Sequence, residues 1–345
     1  MKKILYAGVA AALTLLLTIP AYCGNPGKVK QLGIATYSVK GLESDIEGSL
    51  KALGDDGYVV MEISNYDAGK RTVAGYTPAD YAALAEKYGL DIISSHARAN
   101  FNVKDVEGTL AAWGKVFDDH KILGCKYVVF PMNMWAGTVE GVKAECELMN
   151  KIGEEANKRG ILFGYHNHST EFATLVNTGQ FYEDFLIANT DPEKVFFQMD
   201  VYWVTVGGQD PVAYLKKYPD RFKVLHIKDE YVIGESGKIN YEAIFKQFYK
   251  NGQKDWFVEI EGKMTPEQKE QSASMMEAMK AVQARGGTMQ EVMQEMMKNQ
   301  PKDGKGSPMP GFGPQDPKVV AEQLKVSLEA IKLSADYLKN SKFVK

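Results

Sequence analysis

Four short apolar runs each end in one side chain able to hold a metal. They are Ile161-Leu162-Phe163-Gly164-Tyr165-His166, Val195-Phe196-Phe197-Gln198-Met199-Asp200, Phe222-Lys223-Val224-Leu225-His226 and Trp256-Phe257-Val258-Glu259. Their last residues, His166, Asp200, His226 and Glu259, follow one another at intervals of 34, 26 and 33 residues with helical stretches between. Parallel strands that bring polar ends to one rim are how a barrel assembles a site at its open mouth. Alone, each residue reads as a loop cap or a satisfied polar group. Four in register predict one divalent metal site. Imidazole and carboxylate ligands together suit manganese, zinc, iron or cobalt; magnesium fits less well and calcium prefers an all-oxygen shell.

A divalent ion chelated by a substrate's carbonyl and adjacent hydroxyl acts as a Lewis acid and stabilises the enediolate left when a base takes the α-proton. Candidate bases are Glu259, with one oxygen free, and His168, two residues after His166 and so on the same face if the strand continues. Lys228 stands in the same relation to His226 and reads as an acid or oxyanion clamp; a salt bridge to Asp229 or Glu230 is the competing reading. Glu62 and His96 are expected to hydrogen-bond sugar hydroxyls, Glu171 to sit at the mouth, and Trp203 to offer an apolar plate for a sugar ring or else to be core. His120 reads as a surface residue.

Eight strand patterns are needed to position these groups, and eight are found, at 32–37, 58–63, 91–95, 126–130, 161–166, 195–200, 223–227 and 256–260. Helical stretches alternate with them at 44–53, 78–88, 107–123, 139–159, 181–187, 211–218 and 241–249, and a last helix is expected at 319–338. Gly57, Gly89, Gly124 and Gly160 stand just before strands two to five, where a helix C-cap needs a left-handed residue. The pattern predicts an α/β fold, a (β/α)8 TIM barrel, over a doubly wound sheet, which usually has about six strands. One segment interrupts the alternation: residues 264–315 carry nine of the fifteen methionines at helical spacing, and read as a helical insertion between strand eight and the last helix. It would pack its Met stripe on the barrel or on another subunit, which allows a homo-oligomer, or act as a lid.

The 345 residues, 45% hydrophobic and 25% charged, suffice for one large core, and a net charge of −3 gives no electrostatic footprint for nucleic acid. Lys2 and Lys3, the apolar run 4–19 and the turn residues around Cys23 read as a cleaved signal peptide, residues 1–23, with the barrel over 30–345. The expected location is the periplasm or the exterior; lipidation at Cys23 is the weaker alternative, and no segment of the mature chain would span a membrane. Cys125 and Cys146 read as small buried hydrophobes. The absence of a Gly-rich phosphate cradle points to an unphosphorylated sugar.

Taken in order, Tyr165-His166-Asn167-His168, Gln198-Met199-Asp200, Leu225-His226-Ile227-Lys228-Asp229 and Val258-Glu259 resemble the xylose isomerase-like TIM barrel superfamily, with its sugar phosphate isomerase/epimerases, ketose 3-epimerases, inosose dehydratases and 3-keto-glycoside lyases. The resemblance implies metal ligation by His166, Asp200, His226 and Glu259. It also exposes a departure: ketose epimerases carry glutamate where this chain has His166. Two readings follow, a sugar isomerase or epimerase and a lyase that expels the aglycone of a 3-keto-glycoside. A third, a non-catalytic periplasmic sugar-binding barrel, is opposed by the presence of all four ligands.

Overall fold

The computed structural model describes residues 30–262 and 316–345, with isolated positions between them. The expected signal peptide and nearly all of the 264–315 insertion lie outside the described residues. Eight parallel strands, β1 (Leu32–Ala35), β2 (Tyr58–Ile63), β3 (Asp91–His96), β4 (Tyr127–Phe130), β5 (Leu162–His166), β6 (Val195–Asp200), β7 (Phe222–Ile227) and β8 (Asp255–Val258), close into a barrel in chain order. Closure is made by β1, which pairs with β2 on one side and sets Ile34 opposite Val258 of β8 on the other. Flanking helices are α1 (Ile46–Asp55), α2 (Pro78–Lys87), α3 (Val106–Leu123), α4 (Val139–Asn157), α5 (Tyr182–Asn189), α6 (Val201–Val206), α7 (Pro211–Lys217), α8 (Tyr241–Lys250) and α9 (Pro317–Asn340).

Local chemistry sets the element ends. Asp45, Thr77, Asp105, Thr138, Asp210, Asn240 and Asp316 each cap a helix by accepting a backbone N–H on a side-chain oxygen. The four glycines before strands two to five all have φ between +74° and +86°, as the sequence requires. Helix α6 was not expected, because its β-branched valines and threonine read as poor helix formers. It forms because Asp200 Oδ1 accepts from the amides of Tyr202 at 2.9 Å and Trp203 at 3.0 Å, so the chain turns into a helix directly off β6. A two-residue antiparallel ladder, Tyr66–Asp67 with Thr72–Val73, is a second unexpected element.

His120 is not on the surface. It shares the buried stripe of α3 with Trp113, Val116 and Phe117, and its ring bridges the Val116 carbonyl at 2.6 Å and the Ser95 hydroxyl at 2.8 Å. Its polar neighbours Asp118, Asp119 and Lys121 concealed the helical period. Cys125 and Cys146 are free and buried, as expected. Among the described residues no helix is long and apolar enough to cross a membrane.

Alternation along the strands separates two interior layers. The lower one is hydrocarbon: Ala35, Val60, Tyr127, Val129, Phe196, Val224 and Phe257 form a cluster of their own, distinct from the large core between barrel and helices. Gly164 makes room for it, since a Cβ there would lie 2.5 Å from the Phe196 ring. Two residues onward on four of these strands the interior becomes polar. Val60 is followed by Glu62, Phe196 by Gln198, Val224 by His226 and Phe257 by Glu259.

Candidate active site

The register delivers the expected residues together. Asp200 pairs with His226 across β6 and β7, and His166 with Gln198 across β5 and β6. Donor atoms of Asp200, His226 and Glu259 all lie within 4.8 Å of one another, as do those of His96, His166 and His226. His166 Nε2 stands 3.9 Å from Asp200 Oδ2. His226 Nδ1 stands 2.8 Å from Glu259 Oε2, close but not aligned for a hydrogen bond, and Asp200 Oδ2 is buried without a hydrogen-bond partner. Atoms that crowd together without bonding to one another fit a shared cation between them.

Hydrogen bonds below this layer fix the rings. Glu62 Oε1 receives His226 Nε2 at 2.6 Å, while Glu62 Oε2 accepts from Ser94 Oγ and from Gln198 Nε2, both at 2.7 Å. With its nitrogen committed to an acceptor, Gln198 turns its oxygen to His96 Nε2 at 2.7 Å and His166 Nδ1 at 3.0 Å. His166 therefore carries its proton on Nδ1 and presents the Nε2 lone pair toward Asp200. His226, held through Nε2–H, presents Nδ1 toward Glu259 in the same way. This is the carboxylate-to-histidine support that orients metal-binding imidazoles.

Charge follows from the same contacts. Burial works against the Glu62 carboxylate, yet His96 and His226 hold it down at about 2. Burial pulls His226 down, but Glu62 and Glu259 outweigh it and raise it to about 10. Two carboxylates facing one imidazole call for positive charge between them, supplied by a second proton on His226 or by a metal ion. Burial, helped by the Glu259 charge, lifts Asp200 to about 7 against the pull of Lys228 and His226. Lys228 Nζ contacts Glu259 Oε1 and Glu261 Oε1, each at 2.6 Å, and these acids keep it charged despite burial. The pairing with Asp229 or Glu230 is not made: Asp229 accepts from the amides of Glu230 and Gly234.

A cavity of about 330 Å³ opens over this floor, lined by Tyr37, Tyr66, His96, Arg98, Met132, His166, His168, Glu259 and Glu261 among others. His168 lies on its wall with Nδ1 buried and unpartnered, and burial, aided by Lys228, pushes its imidazole down to about 3. Two expectations need correction. Glu62 is fully buried beneath the histidines, with both oxygens engaged, so it orients His226 and Gln198 rather than meeting a sugar hydroxyl. Glu171 is likewise buried away from the mouth, bonded to the Tyr165 hydroxyl, the Thr170 hydroxyl and the His168 amide, and acts as a turn lock. Trp203 stands beside the site, its ring 4.8 Å from Lys228 Nζ.

The model of the xylose isomerase-like TIM barrel family matches residues 50–282. This chain belongs to that family. A xylose isomerase-like relative from Parabacteroides distasonis, a sugar phosphate isomerase/epimerase of known structure, is 31% identical and superposes with a TM-score of 0.69 over 92% of this chain and 100% of that one. An inosose dehydratase of Clostridium botulinum is 28% identical over 141 residues, 34% of this chain and 46% of that protein. Inosose dehydratase 2 of Bacillus cereus is 25% identical over 240 residues, 59% of this chain and 79% of that protein. The chain thus spans about half the length of the first of these curated relatives and more of the second.

In this xylose isomerase-like barrel several site residues escaped sequence reasoning. Tyr37 and Glu261 lie just past β1 and β8, and the Tyr37 hydroxyl donates to Glu261 Oε2 at 3.2 Å. Their signal was available in one case, since Glu261 is two residues beyond Glu259 as Lys228 is two beyond His226. Gln198, inside β6, had no signal of its own.

Proposed function

We propose that this barrel is a divalent-metal-dependent enzyme that removes the proton next to the carbonyl of an unphosphorylated sugar or ketosugar, as sugar isomerases and epimerases do. The observation that carries the reading is the crowding of Asp200, His226 and Glu259 donor atoms within 4.8 Å of one another, with His166 Nε2 3.9 Å from Asp200 Oδ2, above a network that fixes both rings. These four would hold the ion. When bound, it supplies the positive charge that makes the α-proton acidic.

The protein groups divide the remaining work. His168 is neutral and its ring lines the cavity, which makes it the group we assign to accept the proton. Glu259 is less suited, because both of its oxygens already face partners, Oε1 the Lys228 ammonium at 2.6 Å and Oε2 the His226 ring at 2.8 Å. Lys228, kept charged by Glu259 and Glu261, is suited to clamp a developing oxyanion or to protonate a leaving group.

One observation favours the lyase reading. His166 occupies the position where the epimerases of the resemblance carry glutamate, so a second carboxylate able to return the proton to the opposite face is missing there. A protonated His168 can instead hand its proton to a β-leaving group. Metal-loaded protein incubated in deuterated water with ketosugars and 3-keto-glycosides, followed by NMR, tests both: α-deuteration with inversion marks an epimerase, aglycone release a lyase, and neither with any sugar refutes the proposal. The leader-like residues 1–23 support export, which cell fractionation tests.

A further inference from the structure

We propose that Arg98 binds a carboxylate on the substrate, so that the sugar this site takes is a sugar acid; the inference rests on the enolising-site reading and narrows it. Arg98 follows His96 by two residues, and its side chain lines the cavity beside His166, His168 and Met132. Among the described residues no acidic side chain pairs with it and no hydrogen bond satisfies it. Arg98 is exposed at the rim, and the titratable groups that interact with its charge are the Tyr165 hydroxyl and the His168 ring, neither of them anionic.

The cations of the site floor are matched. Lys228 faces Glu259 and Glu261, and His226 faces Glu62 and Glu259. The carboxylates are equally committed: Glu62 to His226, Ser94 and Gln198, Glu171 to Tyr165 and Thr170. A guanidinium cannot shed its proton, and a fork left without a partner at a cavity rim favours an anion in its plane. Tyr165 cannot supply one, because its hydroxyl already donates to Glu171 and burial holds it far above its usual range.

The type of anion follows from the surroundings. A lone planar fork matches the two oxygens of a carboxylate. A phosphate would need a second cation, whereas Arg98 is the one Lys or Arg among the described lining residues, and Glu259 and Glu261 on the same wall oppose a doubly charged group more than a singly charged one. The ligand would lie with its carbonyl and hydroxyl toward Asp200, His226 and Glu259, and its acid end toward Arg98.

The test uses the full-length, metal-loaded protein, with D-glucuronate, D-glucose and D-glucose 6-phosphate as probes in isothermal titration calorimetry. Glucuronate is expected to bind at least 10-fold tighter than glucose. Arg98→Met should reduce that ratio to below 2-fold, Arg98→Lys should keep part of it, and added salt should shrink it. Equal affinities in the wild type, a preference for the phosphate, or a glucuronate preference that survives Arg98→Met would each overturn the proposal, the last by placing the carboxylate on the metal. Deuterium incorporation measured on the same samples separates the two readings. Its absence with every sugar counts against enolisation, while the calorimetric ratio decides the role of Arg98 by itself.

Discussion

The Gln198 amide and the Glu62 carboxylate meet at 2.7 Å across 136 residues of chain, and this one hydrogen bond decides which way round the amide stands. With nitrogen toward Glu62, the oxygen must face His96 and His166, and the proton of His166 is confined to the nitrogen turned away from Asp200. Gln198→Leu removes the constraint. Metal affinity should fall 10- to 100-fold, the usual effect of losing an outer-sphere partner. Calorimetry measures it, and the ¹⁵N shifts of His166 should change from a single tautomer to a mixture. Unchanged affinity and shifts would refute the tautomer lock.

Asp200 illustrates a group kept at the expense of stability. Burial raises its carboxyl from 3.8 to about 7, so between those values the folded chain holds a proton that the unfolded chain releases. The associated stability is complete below about pH 4 and is lost as pH rises toward 7. Asp200→Asn should therefore bind almost no metal by elemental analysis. Its stability to urea, relative to the metal-free wild type, should grow from pH 4 to pH 8. Full metal occupancy in the variant would exclude Asp200 as a ligand.

His120 titrates in the opposite sense. Burial lowers it from 6.5 to about 4, so the unfolded chain binds the extra proton first and stability declines as pH falls through that window. A shift of this size corresponds to about 3 kcal/mol. His120→Gln should lose the dependence, so the wild-type advantage seen above pH 6.5 should shrink by roughly that amount at pH 4 in urea titrations.

Asp119 holds the cavity wall from behind. It receives Arg71 through Nε at 2.9 Å and Nη2 at 2.6 Å, and the hydroxyl of Tyr66, a lining residue, at 2.5 Å. Asp119→Ala should cost about 1–3 kcal/mol by leaving these donors unmatched. It should raise KM for the sugar severalfold with little change in kcat. A fall in kcat alone would place Tyr66 in the chemistry instead.

What could be read from the sequence follows physical range. Strand-end positions of His166, Asp200, His226 and Glu259 were legible because alternation and helical spacing are local, and so were the barrel and its capping glycines. The role of Glu62 was not, because an inward glutamate at a strand end looks the same whether it meets a ligand or a histidine from a strand 164 residues away. Glu171 misled for a similar reason: nothing local says that its partners would be Tyr165 and Thr170 behind the loop. Helix α6 hid because a side-chain cap from Asp200 overrode the propensity of its valines, and Arg98 hid because an unpaired charge is defined by partners that only the folded chain can lack.

The hydrocarbon layer formed by Val60, Phe196, Val224 and Phe257, with Phe196 seated against Gly164, makes the site a vessel with a single door. Among the described residues this layer closes the barrel's other end, so an ion and a sugar would share one route in and out. With an ion bound first, as the proposed function requires, a seated sugar would stand between it and any chelator. Release of the ion should slow as sugar concentration rises, and the protein would guard its metal best while it is at work.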